Sequence, residues 1–260
     1  MSKRDGVCLV GLLRNLNLAV SVVLLGYAWS AIAQTQPQEP IYSRLNTFGV
    51  FGAYSGDSSH MVLGYAQNRK LLNIGVVYGR RLKQGSIVNW QYNAEFLPVA
   101  LESDPVTHTV VDQQTPTPEV FVSDFRQSAA CVASSESYSD TLPNGVTYSG
   151  TVATTCKRMW TVGEAFSPIG FQWNFLPRHR LQPVVIGHGG YIYSTQAIPI
   201  DFAGSFNFTF DLGAGVEYYR WNSRSVRVDY RYHHISNHET ADANPGIDNG
   251  VFQVTYAFGR

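Results

Sequence analysis

The sequence predicts an all-β protein, an eight-stranded antiparallel transmembrane β-barrel with long external loops. Three observations carry this expectation. Apolar and polar residues alternate at period two over long runs, the pattern of strands with two unlike faces. The connections between those runs alternate short and long, as in outer-membrane barrels with tight periplasmic turns and extended outer loops. The N-terminus reads as an export signal.

That signal consists of Lys3 and Arg4, an apolar run from Leu18 to Ala28, and the small-residue site Ala31-Ile32-Ala33 ahead of Gln34. The run is too short, and too close to a cleavage site, for a spanning helix. Residues 1–33 are therefore expected to be removed, leaving 34–260 as a single barrel domain destined for the bacterial outer membrane. Without Lys3, Arg4, Arg14 and Asp5, the 19 basic and 19 acidic residues become 16 and 18, so no basic footprint for nucleic acid remains. Low charge (15%), many aromatics (13%) and 23 glycines suit a β-protein. No apolar run after residue 33 is long enough to cross a bilayer as a helix.

The first strand is expected at about 43–54. The second, 70–82, carries the period-two row Leu72, Ile74, Val76 and Tyr78, less cleanly alternating than the later strands. The third, 86–100, sets Val88, Trp90, Tyr92, Ala94 and Phe96 against Asn89, Gln91, Asn93 and Glu95. The fourth and fifth fall at 160–175 and 180–194. The sixth, 205–220, is the cleanest: Phe206, Phe208, Phe210, Leu212, Ala214, Val216 and Tyr218 share one face. The seventh and eighth lie at 225–236 and 248–258. Gln84-Gly85, Pro177-Arg178-His179 and Asn222-Ser223 mark short turns; the connections 55–69, 101–159, 195–204 and 237–247 are long.

In a membrane barrel the apolar row faces lipid, and Glu95, Asp211, Glu217, Arg227, Asp229 and Arg231 pair in a narrow interior. A soluble, lipocalin-like barrel would reverse the two faces, and alternation alone does not separate them; strand length and turn asymmetry favour the membrane. The insert 101–159 is rich in Ser, Thr and Pro and is expected to be an external loop with its own small hairpin. It contains both cysteines of the mature chain, Cys131 and Cys156, which an oxidising compartment would join as a disulfide.

The stretch "RVDYRYHHISN", Arg227 to Asn237, places His234 and Ser236 at the end of the apolar row Val226, Val228, Tyr230, Tyr232. Residues two apart on a strand point the same way about 6.5–7 Å apart, within reach of an imidazole-to-hydroxyl hydrogen bond. On the last strand Asp248 has the parity of Phe252, Val254, Tyr256 and Phe258, so all three polar groups face outward. Base, nucleophile and orienting acid are the elements of a Ser-His-Asp site, whose chain order is immaterial. A His, a Ser and an Asp near a strand end are also ordinary loop-entry residues. A metal cluster of His233, His234 and His238 is disfavoured, since adjacent strand residues point to opposite faces. No metal or other cofactor is expected.

"HHISN" followed by "NPGID" resembles the lipid A 3-O-deacylase family of outer-membrane acyl hydrolases, over roughly residues 205–258. The resemblance implies a triad on the lipid-facing surface, with His234 as base, Ser236 as nucleophile and Asp248 where the family often has Glu. It implies Asn244 as helper of an oxyanion hole, with Asn237 and Gly246 supporting the loop. The implied activity is removal of an ester-linked 3-hydroxyacyl chain, at position 3, from lipid A of lipopolysaccharide in the outer leaflet, by a protein acting alone or as a homodimer. His238-Glu239 departs from the small residues common in the family after Ser-Asn. The alternative function is a non-enzymatic barrel, structural or presenting the 101–159 insert to a surface partner.

Overall fold

The computed structural model describes residues 41–260; the expected signal segment 1–33 lies outside the described residues. Ten strands form one sheet: β1 (Asn46–Ser55), β2 (Lys70–Lys83), β3 (Val88–Thr115), β4 (Glu119–Phe125), β5 (Ser134–Thr141), β6 (Thr147–Phe175), β7 (Leu181–Ser194), β8 (Phe206–Trp221), β9 (Arg224–Ser236) and β10 (Ile247–Gly259). Every pairing between these strands is antiparallel, and no helix occurs among the described residues. β1 pairs with both β2 and β10, and a β3–β6 pairing closes eight strands into a ring, with β4 and β5 outside it. Closure leaves those eight without a free edge over the ring itself.

The short turns are 84–87, 176–180 and 222–223, all at one end. The long connections lie at the other. Period-two alternation decides which side chains enter the ring. In β8, Phe206, Phe208, Phe210 and Leu212 are exposed while Asn207, Thr209 and Asp211 are buried. The same outward apolar row continues through Val50, Ile74, Val226, Tyr230 and Val254.

Two sequence expectations need correction. The interior is not polar throughout. Toward the long-loop end Phe51, Leu71, Ile235 and Ile247 form an apolar cluster, closed by Ala66 and Ile198 from the connections. Deeper in lies the anticipated charge network: Arg231 pairs with Glu95, Asp211 and Asp229, and Arg227 with Asp229 and Glu95. Glu217 pairs instead with Arg44, from ahead of β1, at 2.8 Å. His188, for which the sequence identifies no partner, joins the network through Asp211 and Asn93 at 3.0 and 3.2 Å. Glu95, His188 and Asp211 cluster closely enough to hold a cation, but the Arg231 guanidinium contacts all three and supplies the positive charge.

The insert is the second correction. β3 and β6 share a 23-pair ladder that closes the ring and then runs on past it, where Val106 faces Lys157 and Gln113 faces Gly150. β4 adds to one side and β5 to the other, making a four-stranded blade in place of a loop with one hairpin. Pro105 falls where β3 has left β2, whose last pair is Lys70 with Ser103, and has not yet met β4, whose first is Thr107 with Phe125. One edge of β3 is free there, a place that tolerates a residue without an N–H. Cys131 and Cys156 are joined, tying the β4–β5 connection to β6.

Candidate active site

β9 and β10 pair in a register that puts His234 directly opposite Asp248 and Ile235 opposite Ile247. The inward isoleucines anchor the hairpin in the apolar cluster, and the outward partners are thereby set side by side. His234 Nδ1 lies 2.6 Å from Asp248 Oδ1. An ionised carboxylate only accepts, so Nδ1 carries the proton and Nε2 is left with its lone pair.

Asp248 is fully buried although its parity is outward. The cover is the β1–β2 connection, which folds back over the outside of β10. The backbone N–H groups of Val62 and Leu63 donate to Asp248 Oδ2 at 2.7 and 2.8 Å, and Tyr232 Oη–H donates to Oδ1 at 2.7 Å. With His234, four donors converge on one acid, the arrangement that stabilises its charged form.

Gly64 and Gly246 allow this approach. A Cβ on Gly64 would stand 2.8 Å from the Asp248 nitrogen, and Gly246 has φ +59° with its would-be Cβ 3.2 Å from the His234 ring. Tyr65 N–H donates to Pro245 O at 2.9 Å and Ala66 N–H to Gly246 O at 3.1 Å, fixing the connection against the start of β10.

Ser236 shares the outward face but is not bonded to His234. Its hydroxyl donates to Asn244 Oδ1 at 3.0 Å and accepts from His238 N–H at 3.2 Å. Asn237 N–H donates to the same Asn244 oxygen at 3.1 Å. The buried Asn237 side chain donates to Ala243 O and accepts from Glu239 N–H, so it organises the β9–β10 loop. Residues 237–240 form a turn closed by Thr240 N–H to Asn237 O, with φ +52° at His238 and +59° at Glu239. Two consecutive left-handed residues are the mark of a type I′ turn, which ordinarily takes Asn or Gly. The turn points the His238 amide at the Ser236 oxygen.

An outward groove of about 490 Å³ adjoins these groups, lined by Leu63, Phe208, Phe210, His234, Ser236 and His238 among others. Phe210 packs on the His234 ring at 5.3 Å between centroids. The sequence reading missed Tyr232 as a polar partner, because its parity assigns it to the apolar row, and missed Val62, Leu63 and Gly64 altogether. Backbone donors leave no side-chain signature; the apolar "MVLG" inside an expected loop is their trace.

Fold and site together define an all-β, eight-strand ring that carries an acid–imidazole pair and a nearby serine on its outer face, beside an apolar groove. Residues 132–257 match the family model described as lipid A 3-O-deacylase (PagL), bearing out the resemblance carried by "HHISN" and "NPGID" over a longer stretch. Among solved structures, the outer membrane enzyme PagL aligns at 13% identity and TM-score 0.42, covering 83% of this chain and 99% of that one. Neisserial surface protein A (NspA) aligns at 9% identity and TM-score 0.42, covering 83% and 97%. No curated protein matches the chain.

Proposed function

We propose that the chain is a serine esterase of the bacterial outer membrane that removes an ester-linked 3-hydroxyacyl chain from lipid A. The observation that carries this is the outward placement of Asp248, His234 and Ser236 beside an apolar groove, within the stretch that matches the deacylase family. A soluble hydrolase would aim such groups into a water-filled cleft. Here they meet the solvent of the apolar row, and a membrane lipid reaches them sideways. The eight-strand ring is then a transmembrane barrel whose exposed row from Val50 to Val254 contacts acyl chains.

In the resting arrangement the Ser236 proton points at Asn244 Oδ1. Reaction begins when the hydroxyl turns to Nε2 of His234, whose Nδ1–H is held by Asp248. Ser236 Oγ attacks the ester carbonyl as its proton passes to Nε2. The tetrahedral oxyanion collapses, the sugar alkoxide takes the proton from His234, and an acyl-enzyme remains. Water, deprotonated by His234, then attacks the acyl-enzyme and releases the hydroxy fatty acid with Ser236 restored.

Once Ser236 has turned away, Asn244 is freed to present its Nδ2 donors, and its rotation also releases the Asn237 N–H that it accepts from. Those donors and the His238 amide provide an oxyanion hole. No step calls for a cofactor. Expression in an outer membrane rich in lipid A tests the reading by mass spectrometry of the lipid. The expected product is lighter by one hydroxyacyl chain with wild-type protein, and unchanged lipid A with Ser236→Ala or His234→Ala. Deacylation that persists in Ser236→Ala overturns the nucleophile assignment.

A further inference from the structure

We propose a second lipid site at the opposite end of the outer face, at the β8–β9 hairpin, for an anionic diacyl phospholipid of the inner leaflet. The proposal rests on the membrane reading above. Exposed charge differs along the ring axis, with bases gathered at the short-turn end and acids outnumbering the exposed Lys157 and Arg158 in the long connections and the blade. Arg80, Lys83, Arg178, Arg180, Arg220 and Arg224 are all exposed at the short-turn end. The acid described there, Glu217, is buried and already paired with Arg44. Exposed acids cluster instead in the long connections and the blade, at Asp57, Glu119, Asp124, Glu136, Asp140 and Asp242.

Within that basic rim the β8–β9 hairpin has the shape of a lipid seat. A shallow pocket of about 200 Å³ lies between Tyr218, Arg220, Trp221, Arg224, Val226 and Tyr256. Tyr218 and Tyr256 both pair with Val226 across three neighbouring strands, so their outward side chains form one wall. Arg220 lies over the Trp221 ring, its guanidinium carbon 4.3 Å from the centroid, which holds the cation at the pocket while leaving its N–H edge free. Ion pairs among the described residues use Arg44, Arg69, Arg126, Arg227 and Arg231, and leave Arg220 and Arg224 available.

Two guanidiniums above an apolar wall match a phosphodiester above acyl chains. The forked donors bind phosphate oxygens, and the aromatic side chains occupy the depth of the glycerol backbone. A zwitterionic headgroup would bring an ammonium toward two arginines, whereas an anionic glycerol headgroup adds only hydroxyls. Phosphatidylglycerol is therefore the probe.

The test uses the full chain folded into vesicles of equal phosphatidylglycerol and phosphatidylcholine, extracted gently, with retained lipid identified by native mass spectrometry. Wild-type protein is expected to retain phosphatidylglycerol about fivefold or more over phosphatidylcholine. Arg220→Gln with Arg224→Gln is expected to bring the ratio near unity, while Arg178→Gln, in a neighbouring turn, preserves it. Heat-modifiable mobility confirms that each variant is folded. Equal retention of the two lipids by folded wild type, or a preference that survives the double substitution, overturns the site and leaves the deacylase reading standing. A chain that inserts into neither lipid overturns the membrane reading and the site with it.

Discussion

At the residue scale the site turns on how one acid is held. Asp248 accepts from two backbone amides, the Tyr232 phenol and the His234 imidazole, and each donor both fixes its position and favours its charge. Tyr232→Phe removes one donor without changing the packing of the ring. A hydrogen bond to a charged group contributes about 1.5–3 kcal/mol, so the rate of lipid A deacylation is expected to fall roughly ten- to a hundredfold. An unchanged rate in micellar assays would mean that the amides of Val62 and Leu63 suffice. Glu239 makes the opposite kind of contribution. Its φ of +59° is unfavourable for a residue with a Cβ, so Glu239→Gly is expected to stabilise the fold by about 1 kcal/mol. The urea midpoint in lipid vesicles measures it; a lower midpoint would show that the glutamate side chain contributes elsewhere.

At the element scale the β1–β2 connection acts as a strap across β10. Its bonds to Pro245, Gly246 and Asp248 require the two backbones to touch at Gly64. Gly64→Val places a branched side chain where even a Cβ meets backbone at 2.8 Å, so the strap is expected to lift. Deacylation should then drop by more than about tenfold, by loss of two charge-assisted hydrogen bonds, while heat-modifiable mobility shows the ring intact. Loss of the ring instead would mean that the strap is needed for folding. The blade is a separate element, held by its own ladder and by the Cys131–Cys156 link. Cys131→Ser is expected to open the β4–β5 connection to limited proteolysis without affecting β7 to β10.

At the scale of the whole molecule, the ring carries an exposed apolar row outside and a buried charge network inside, below the apolar cluster of the long-loop end. Arg231 is the centre of the inner network, facing Glu95, Asp211 and Asp229. Arg231→Met strands three buried carboxylates and is expected to cost about 3–5 kcal/mol, read as a lower unfolding midpoint in vesicles. Single cysteines report the two faces directly. Tyr230→Cys and Val254→Cys are expected to react with a lipid-soluble maleimide, and Asp211→Cys and Arg227→Cys to resist it. The reverse pattern would place the apolar row in a soluble barrel's interior and remove the membrane from the proposal.

Elements whose cause is local can be read from the order of residues alone. Alternation along a strand depends only on pleat geometry, so the eight ring strands, their two faces, the inward position of Glu95, Asp211 and Arg231, and the shared outward parity of His234, Ser236 and Asp248 are legible in the order of residues. Whatever depends on a partner distant in the chain appears only in the folded molecule. Nothing near residues 101–115 shows that β3 continues as a ladder against 147–163, because its partner lies tens of residues away. His188 has no local sign of Asp211 and Asn93, nor Arg44 of Glu217. Above all, parity sent Asp248 outward but could not foretell the strap that buries it. That cover is made of backbone amides and two glycines, and their capacity to bind an acid exists only where the fold brings the two chain segments into contact.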